Sequence, residues 1–221
     1  MKKHSYIIAG ISVALLALFL IAAQLYRGNE NAAASKSAPV AEGDAIDRSL
    51  LVRGDSPTLG PLMARVTLVE FLDPECESCR AMHPITKRVL REYDGRVRLV
   101  VRYMPLHRNS RYAASVLEAA GEQGRYWEML DVLFEFQPQW GDQQTAEPPL
   151  ILELAGRIGL DMKALQRSLQ NPGHAAKIAR DHEDGKKVRV MGTPTFFVNG
   201  SRLQKLGYEP LKAAIDQALA Q

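Results

Sequence analysis

The chain has 221 residues, 46% hydrophobic and 24% charged, an ordinary globular composition that excludes intrinsic disorder, collagen-like repeats and a disulfide-dense mini-scaffold. Of its 28 basic side chains, three (Lys2, Lys3 and Arg27) stand in an acid-free N-terminal stretch, so the rest of the chain balances its 25 acids. A neutral body offers no electrostatic basis for nucleic-acid binding.

No charged residue interrupts Ser5 to Tyr26. At about 1.5 Å per residue such a run forms a helix of roughly 33 Å, enough to cross a bilayer core. Lys2, Lys3 and His4 precede it, which predicts an N-terminus in the cytoplasm and the remainder outside. The competing reading is a cleaved signal peptide, whose apolar region usually spans only about 7–15 residues. This run is longer, and Ala32-Ala33-Ala34, the one small-residue cleavage candidate, stands well beyond it. Residues 1–27 are therefore expected to be a single transmembrane anchor. Residues 28–47, rich in Ala, Ser, Asn, Gly and Glu without apolar periodicity, read as a flexible linker. Either reading exports the body to a compartment that permits disulfide chemistry. Arg53-Gly54-Asp55 reads as a turn before Pro57.

Val66 to Leu72 is a run of β-formers closed by Pro74, a buried strand with one misplaced acid, Glu70. A helical pattern runs from about Cys76 to Tyr93 and stops at Asp94-Gly95, and Val97 to Tyr103 is a second strand. Two strands joined by a helix imply a parallel βαβ unit. From about 107 to 188 the pattern is helical. Tyr126, Leu130, Leu133 and Phe134 share one face, Leu150 to Ile158 is amphipathic and closed by Gly159, and Asp161 is a candidate N-cap. Trp127 and Met129 read as core. Thr195 to Val198 returns to strand, Asn199-Gly200 signals a hairpin, Arg202 to Leu206 is its return strand, and Glu209 to Ala220 is a closing helix.

The only cysteines, Cys76 and Cys79, are spaced C-x-x-C at the strand-to-helix junction. Three readings compete. A structural zinc site needs four ligands, and no second C-x-x-C accompanies this one. An inert disulfide over a two-residue loop removes little unfolded-state entropy. The third reading, a redox-active dithiol, has the physics behind it. A cysteine at a helix N-terminus faces unpaired N–H groups that favour the thiolate, the attacking species in thiol–disulfide exchange. Cys76 is then the nucleophile, and Cys79, one turn on, the buried resolving thiol. His83 on the same helix reads as a surface residue.

Phe71-x-x-x-x-Cys76-Glu77-Ser78-Cys79-Arg80, with Pro84 five residues after the second cysteine, resembles the active-site strand and helix of the thioredoxin superfamily. Met191-Gly192-Thr193-Pro194-Thr195-Phe196 resembles that superfamily's cis-proline strand. The long helical block, with Tyr126-Trp127-Glu128-Met129, is similar to the insertion of the DsbA-like branch, and the likeness covers about residues 48–221. The resemblance implies an α/β thioredoxin fold, β-α-β … β-β-α, with a helical insertion at about 107–188. It implies a kink at Pro84 and a cis Pro194 beside the dithiol. Thr193 and Pro194 become a substrate-docking strand, and Glu70 a buried acid that relays protons to Cys79.

The dipeptide departs from the family. DsbA-type oxidants resemble one another in carrying Pro-His there, and thioredoxin carries Gly-Pro; here it is Glu77-Ser78. A carboxylate next to Cys76 opposes the thiolate and weakens the oxidant. The expectation is a monomeric thiol–disulfide oxidoreductase, anchored in the cytoplasmic membrane with its domain on the periplasmic side. It acts on cysteines of exported proteins, is recycled by a membrane redox partner, and needs no organic cofactor or metal. Oxidase is favoured over reductase or isomerase on the insertion alone. Rival readings are a non-catalytic chaperone-like module and a Cu(I) carrier using both thiolates with Met82 and Met191 nearby.

Overall fold

The computed structural model describes residues 47–141 and 149–221. The expected anchor, all but the last residue of the expected linker, and residues 142–148 of the helical block lie outside them. Among the described residues no helix is long and apolar enough to cross a membrane.

A short helix α1 (Arg48–Leu51) opens the described chain. It is followed by β1 (Thr58–Leu59), β2 (Val66–Leu72), helix α2 (Glu77–Glu92) and β3 (Val97–Tyr103). The helical block comprises α3 (Ser110–Glu122), α4 (Tyr126–Glu135), α5 (Gln137–Trp140), α6 (Leu150–Arg157), α7 (Met162–Ser168) and α8 (Pro172–Lys187). The chain then returns to β4 (Thr195–Val198), β5 (Ser201–Arg202) and a closing α9 (Tyr208–Ala220). The sheet order is β1-β3-β2-β4-β5, with β2 and β3 parallel and the other pairs antiparallel.

Successive side chains alternate across a strand, and that alternation assigns the two faces. Val66, Leu68 and Leu72 of β2, Leu99 and Val101 of β3, and Phe196 and Val198 of β4 enter the larger core, under α2, the helical block and α9. Glu70 shares their parity and points the same way. Val69, Phe71, Val100 and Phe197 face a smaller core closed by Leu51, Met104, Val188 and Val190. Arg102, on that second face and fully buried, donates to Asp181 (2.8 Å) and Asp184 (2.7 Å) on α8. Gly185 lets α8 lie this close, because a Cβ there meets the Met104 sulfur at 3.0 Å and the Phe71 ring at 3.1 Å.

Helix α2 buries Cys79, Met82, Thr86 and Val89, an i, i+3, i+7, i+10 stripe, and runs unbroken through Pro84. Tyr126, Leu130, Leu133 and Phe134 bury their shared face, and Asp161 caps α7 by accepting from the N–H groups of Lys163 and Ala164. Asn199 (φ 47°) and Gly200 (φ 92°) make the hairpin turn with both central residues left-handed. The return strand is shorter than the expected Arg202–Leu206. Leu203 still donates to Phe196, but Gln204, Lys205 and Leu206 are exposed, and the chain turns away at Gly207 (φ 134°) into α9.

Candidate active site

The C-terminal end of β2 delivers the chain to the start of α2, and Cys76 is the helix N-cap. The Cys76 side chain makes no cap hydrogen bond there, but the N–H groups of Ser78 and Cys79 in the first turn favour its thiolate. Cys76 is 8% exposed and Cys79 fully buried, and the two thiols are unbridged. As a thiol, Cys76 donates to the Thr193 carbonyl at 3.2 Å. The Thr193–Pro194 peptide is cis. The sheet register explains the meeting: β4 runs antiparallel to β2 with Thr195 opposite Phe71, so the residues just before β4 reach the end where β2 stops.

The two sulfurs differ sharply in acidity. The Cys79 thiol donates to Cys76 and outweighs the burial that opposes ionisation; the Thr193 hydroxyl and the N–H groups of Cys79 and Ser78 add to it, lowering the Cys76 pKa to about 5. Thr193 Oγ1 is buried and has no partner while Cys76 is a thiol, which leaves it free to serve the thiolate. Cys79 moves the other way. Burial comes first, then the hydrogen bond it gives Cys76, then the nearby charges of Glu70 and Cys76, and together they push its pKa well above the ordinary thiol value.

Glu70 lies on central strand β2, opposite Val101 and Phe196, and is 2% exposed. It is therefore not an exposed edge-strand acid. Its Oε1 has no hydrogen-bond partner, and burial, followed by the field of Cys76, raises its pKa to about 8. The structure thus brings Cys76, Cys79, Glu70, Thr193 and Pro194 to one end of the sheet. Of the two methionines considered beside the thiols, Met82 is buried under α2 and Met191 is 89% exposed. His83, expected on the helix surface, is half-buried: it packs on Phe134 with ring centroids 4.9 Å apart and contacts Asp131 at 2.6 Å.

Several residues join the site without a sequence signal that singles them out. Buried Asp73 accepts from the N–H groups of Glu75 (2.9 Å) and Leu106 (2.7 Å), and its Oδ2 lies 2.7 Å from His107 Nδ1. Buried Glu75 accepts from the Asn109 N–H and side-chain amide. Gln137 of α5 donates to the carbonyls of Pro74 and Cys76 and accepts from Arg80. The active-site loop is therefore held by the β3–α3 turn on one flank and by the helical block on the other. The density of acids in Asp73-Pro74-Glu75-Cys76-Glu77 is the only local hint of these partners.

A family model described as Thioredoxin matches residues 53–217. The chain belongs to the thioredoxin family. Within it, this thioredoxin domain is 38% identical over 165 residues to the Na(+)/H(+) antiporter NhaA 3 of Salinispora tropica, covering 73% of this chain and 24% of that protein. The chain spans about a quarter of the length of the antiporter relatives it matches. Disulfide bond formation protein D of Bacillus subtilis is 27% identical over 184 residues, covering 80% of this chain and 82% of that one. The crystal structure of a thioredoxin-like oxidoreductase from Silicibacter pomeroyi matches with a TM-score of 0.69 at 31% identity, covering 79% of this chain and 99% of that one. These last two relatives, a disulfide bond formation protein and a thioredoxin-like oxidoreductase, agree with the thiol–disulfide oxidoreductase expected from the sequence.

Proposed function

We propose that this chain, a thiol–disulfide oxidoreductase of the DsbA-like branch, donates disulfides to cysteines of exported proteins from a membrane tether outside the cytoplasm. The observation that carries the direction is the Cys76 sulfur at the α2 N-cap, with a pKa of about 5. A stabilised thiolate stabilises the reduced protein, and a favoured reduced form makes the disulfide a stronger oxidant. Support for the tether is the charge-free run Ser5–Tyr26 behind two lysines.

In the proposed cycle a substrate thiolate attacks Cys76 of the Cys76–Cys79 disulfide. The S–S bond breaks, its electron pair passes to Cys79, and Glu70 supplies the proton, through water, to the Cys79 thiolate. A second substrate thiolate then attacks the substrate sulfur of the mixed disulfide. The substrate leaves oxidised by two electrons, and Cys76 leaves as a thiolate. Thr193 and Pro194 hold the substrate segment beside Cys76, whose sulfur already meets the Thr193 carbonyl. The electron pair resides in the cysteines, so no organic cofactor or metal takes part. A membrane redox partner reoxidises the dithiol, and the domain acts as a monomer.

The equilibrium of the dithiol with glutathione tests the direction. The expected potential lies well above thioredoxin's value of about −270 mV, and a value at or below that figure overturns the oxidase reading. Alkylation trapping in cells tests the direction independently: a donor of disulfides is found mostly oxidised, a reductase or isomerase mostly reduced.

A further inference from the structure

Four carboxyl residues, Glu70, Asp73, Glu75 and Glu77, lie within six positions of Cys76. Negative neighbours oppose a thiolate. The dipeptide between the cysteines supplies no cation, since it is Glu77-Ser78. Glu77 is exposed, so water screens it. Asp73 and Glu75 are buried in the loop that carries Cys76, at 0% and 3% exposure, where screening is weak.

Both buried acids are met from one place, the turn between β3 and α3. Glu75 receives neutral donors: the Asn109 N–H, the Asn109 side-chain amide and, at 3.4 Å, the Ser110 hydroxyl. Asp73 receives the N–H groups of Leu106 and His107 and the His107 ring, with Nδ1 at 2.7 Å from Oδ2. His107 is thus the one group in this turn able to bring a positive charge to a buried acid of the active-site loop. The ring is tied to the loop that carries Cys76, because the Asp73 carbonyl accepts the Cys76 N–H at 3.1 Å. The groups facing the ring are Asp73, Glu75 and Cys76. Burial alone lowers its pKa, but the contact with Asp73 and the fields of Cys76 and Glu75 more than restore it and leave it raised.

We propose that His107 is a positioning residue for the exchange chemistry: as an imidazolium it neutralises the buried Asp73 carboxylate and allows Cys76 to persist as a thiolate in an acid-rich loop. It supplies from the far side of the loop the cation that the Glu77-Ser78 dipeptide lacks. The inference rests on the dithiol reading above and deepens it.

The test compares three full-length proteins by the pH dependence of the Cys76 thiolate, read by ultraviolet absorbance and by alkylation rate. His107→Asn keeps a side-chain N–H near the Nδ1 position and removes the charge, whereas His107→Lys keeps a charge. In His107→Asn, Cys76 is expected to titrate at higher pH, with its alkylation rate near pH 5.5 lowered about three- to tenfold. Its exchange constant with glutathione should move by the same factor toward a weaker oxidant, about 30 mV for tenfold. His107→Lys should recover at least half of the loss. The inference is overturned if His107→Asn titrates like the parent protein. It is also overturned if His107→Lys shifts the thiolate curve as far as His107→Asn does. Absence of exchange in the parent protein would instead refute the proposed function, while the absorbance titration of Cys76 would still decide the role of His107.

Discussion

Replacing Glu70 by Gln should make the protein more stable at neutral pH, by an amount that grows with pH. Glu70 is 2% exposed on the central strand, and one carboxyl oxygen has no partner. Burial first, then the field of Cys76, raises its pKa from 4.5 to about 8. Between those values the unfolded chain has released a proton that the folded chain still holds. The unfolded state therefore binds fewer protons, and stability falls as pH rises through this window. At pH 7 the gap is about 2.5 units, equivalent to about 3 kcal/mol at roughly 1.4 kcal/mol per unit. By pH 9 it approaches about 5 kcal/mol. In the oxidised protein the Cys76 charge is gone and burial, the larger cause, remains, so these figures are upper bounds for that form. The assay is urea unfolding of oxidised parent and Glu70→Gln proteins from about pH 4 to about pH 9, taking the difference at each pH. Subtraction cancels every other titration and leaves any constant cost of the buried amide as an offset. The variant should gain steadily on the parent above about pH 5. Parallel curves would mean that Glu70 ionises normally in the folded protein, and its role as a proton source at neutral pH would fall with them. The same variant should also reduce more slowly with dithiothreitol, since the departing Cys79 sulfur loses its proton donor.

Cys79→Ala should accumulate mixed disulfides between Cys76 and substrate proteins on non-reducing gels, whereas Cys76→Ala should accumulate none. Adducts on Cys79 in the second variant would reverse the assignment of nucleophile and resolving thiol. Thr193→Val removes the hydroxyl that serves the Cys76 thiolate, so the midpoint of the alkylation–pH profile should rise from about 5 by about one unit. An unmoved midpoint would leave the Cys79 thiol and the helix N-terminus as the whole cause. Arg102→Met takes the buried cation from Asp181 and Asp184 on α8, leaving Asp184 its pair with Arg53, and should cost about 3 kcal/mol in denaturant unfolding. Exchange per folded molecule should be unchanged, because Arg102 lies on the sheet face away from Glu70; a matching loss of specific activity would show that the two faces are coupled.

The central part of this fold was legible because its signals are local and periodic. The strands at Val66–Leu72 and Val97–Tyr103 read as runs of β-formers, broken by Glu70 in the first and by Arg98 and Arg102 in the second. Cys76 and Cys79 stand out by their spacing, and Glu70 by being an acid where no acid belongs. The pieces that escaped depend on contacts far apart in sequence. Thr58–Leu59 is a two-residue edge strand, too short to carry any alternation. Its identity comes from pairing with Val100 and Leu99. His107, Asn109 and Gln137 are ordinary polar residues in a helical block until the fold places them on Asp73, Glu75 and the Pro74 and Cys76 carbonyls. His83 misled for the same reason. Its helix position predicts the edge of the apolar face, but α4 supplies Phe134 and Asp131 to cover it.

The sequence also suggested that a carboxylate between the cysteines would blunt the nucleophile, and the geometry shows why that expectation is too strong. Glu77 is exposed on the first turn of α2, in high dielectric, where one charge shifts a neighbour little. The groups that set Cys76 apart are fixed by backbone position: the free N–H groups of the helix start, the Cys79 thiol one turn below, and Thr193 delivered by β4. Cys79 gains its opposite character from the same geometry, since the third residue of α2 faces inward above Glu70. An asymmetric pair therefore follows from placing C-x-x-C at this strand–helix junction, whichever residues separate the cysteines. The exposed Glu77 therefore leaves that asymmetry in place, and the variants of His107 proposed above ask whether the buried acids of the loop weigh on the thiolate more than Glu77 does.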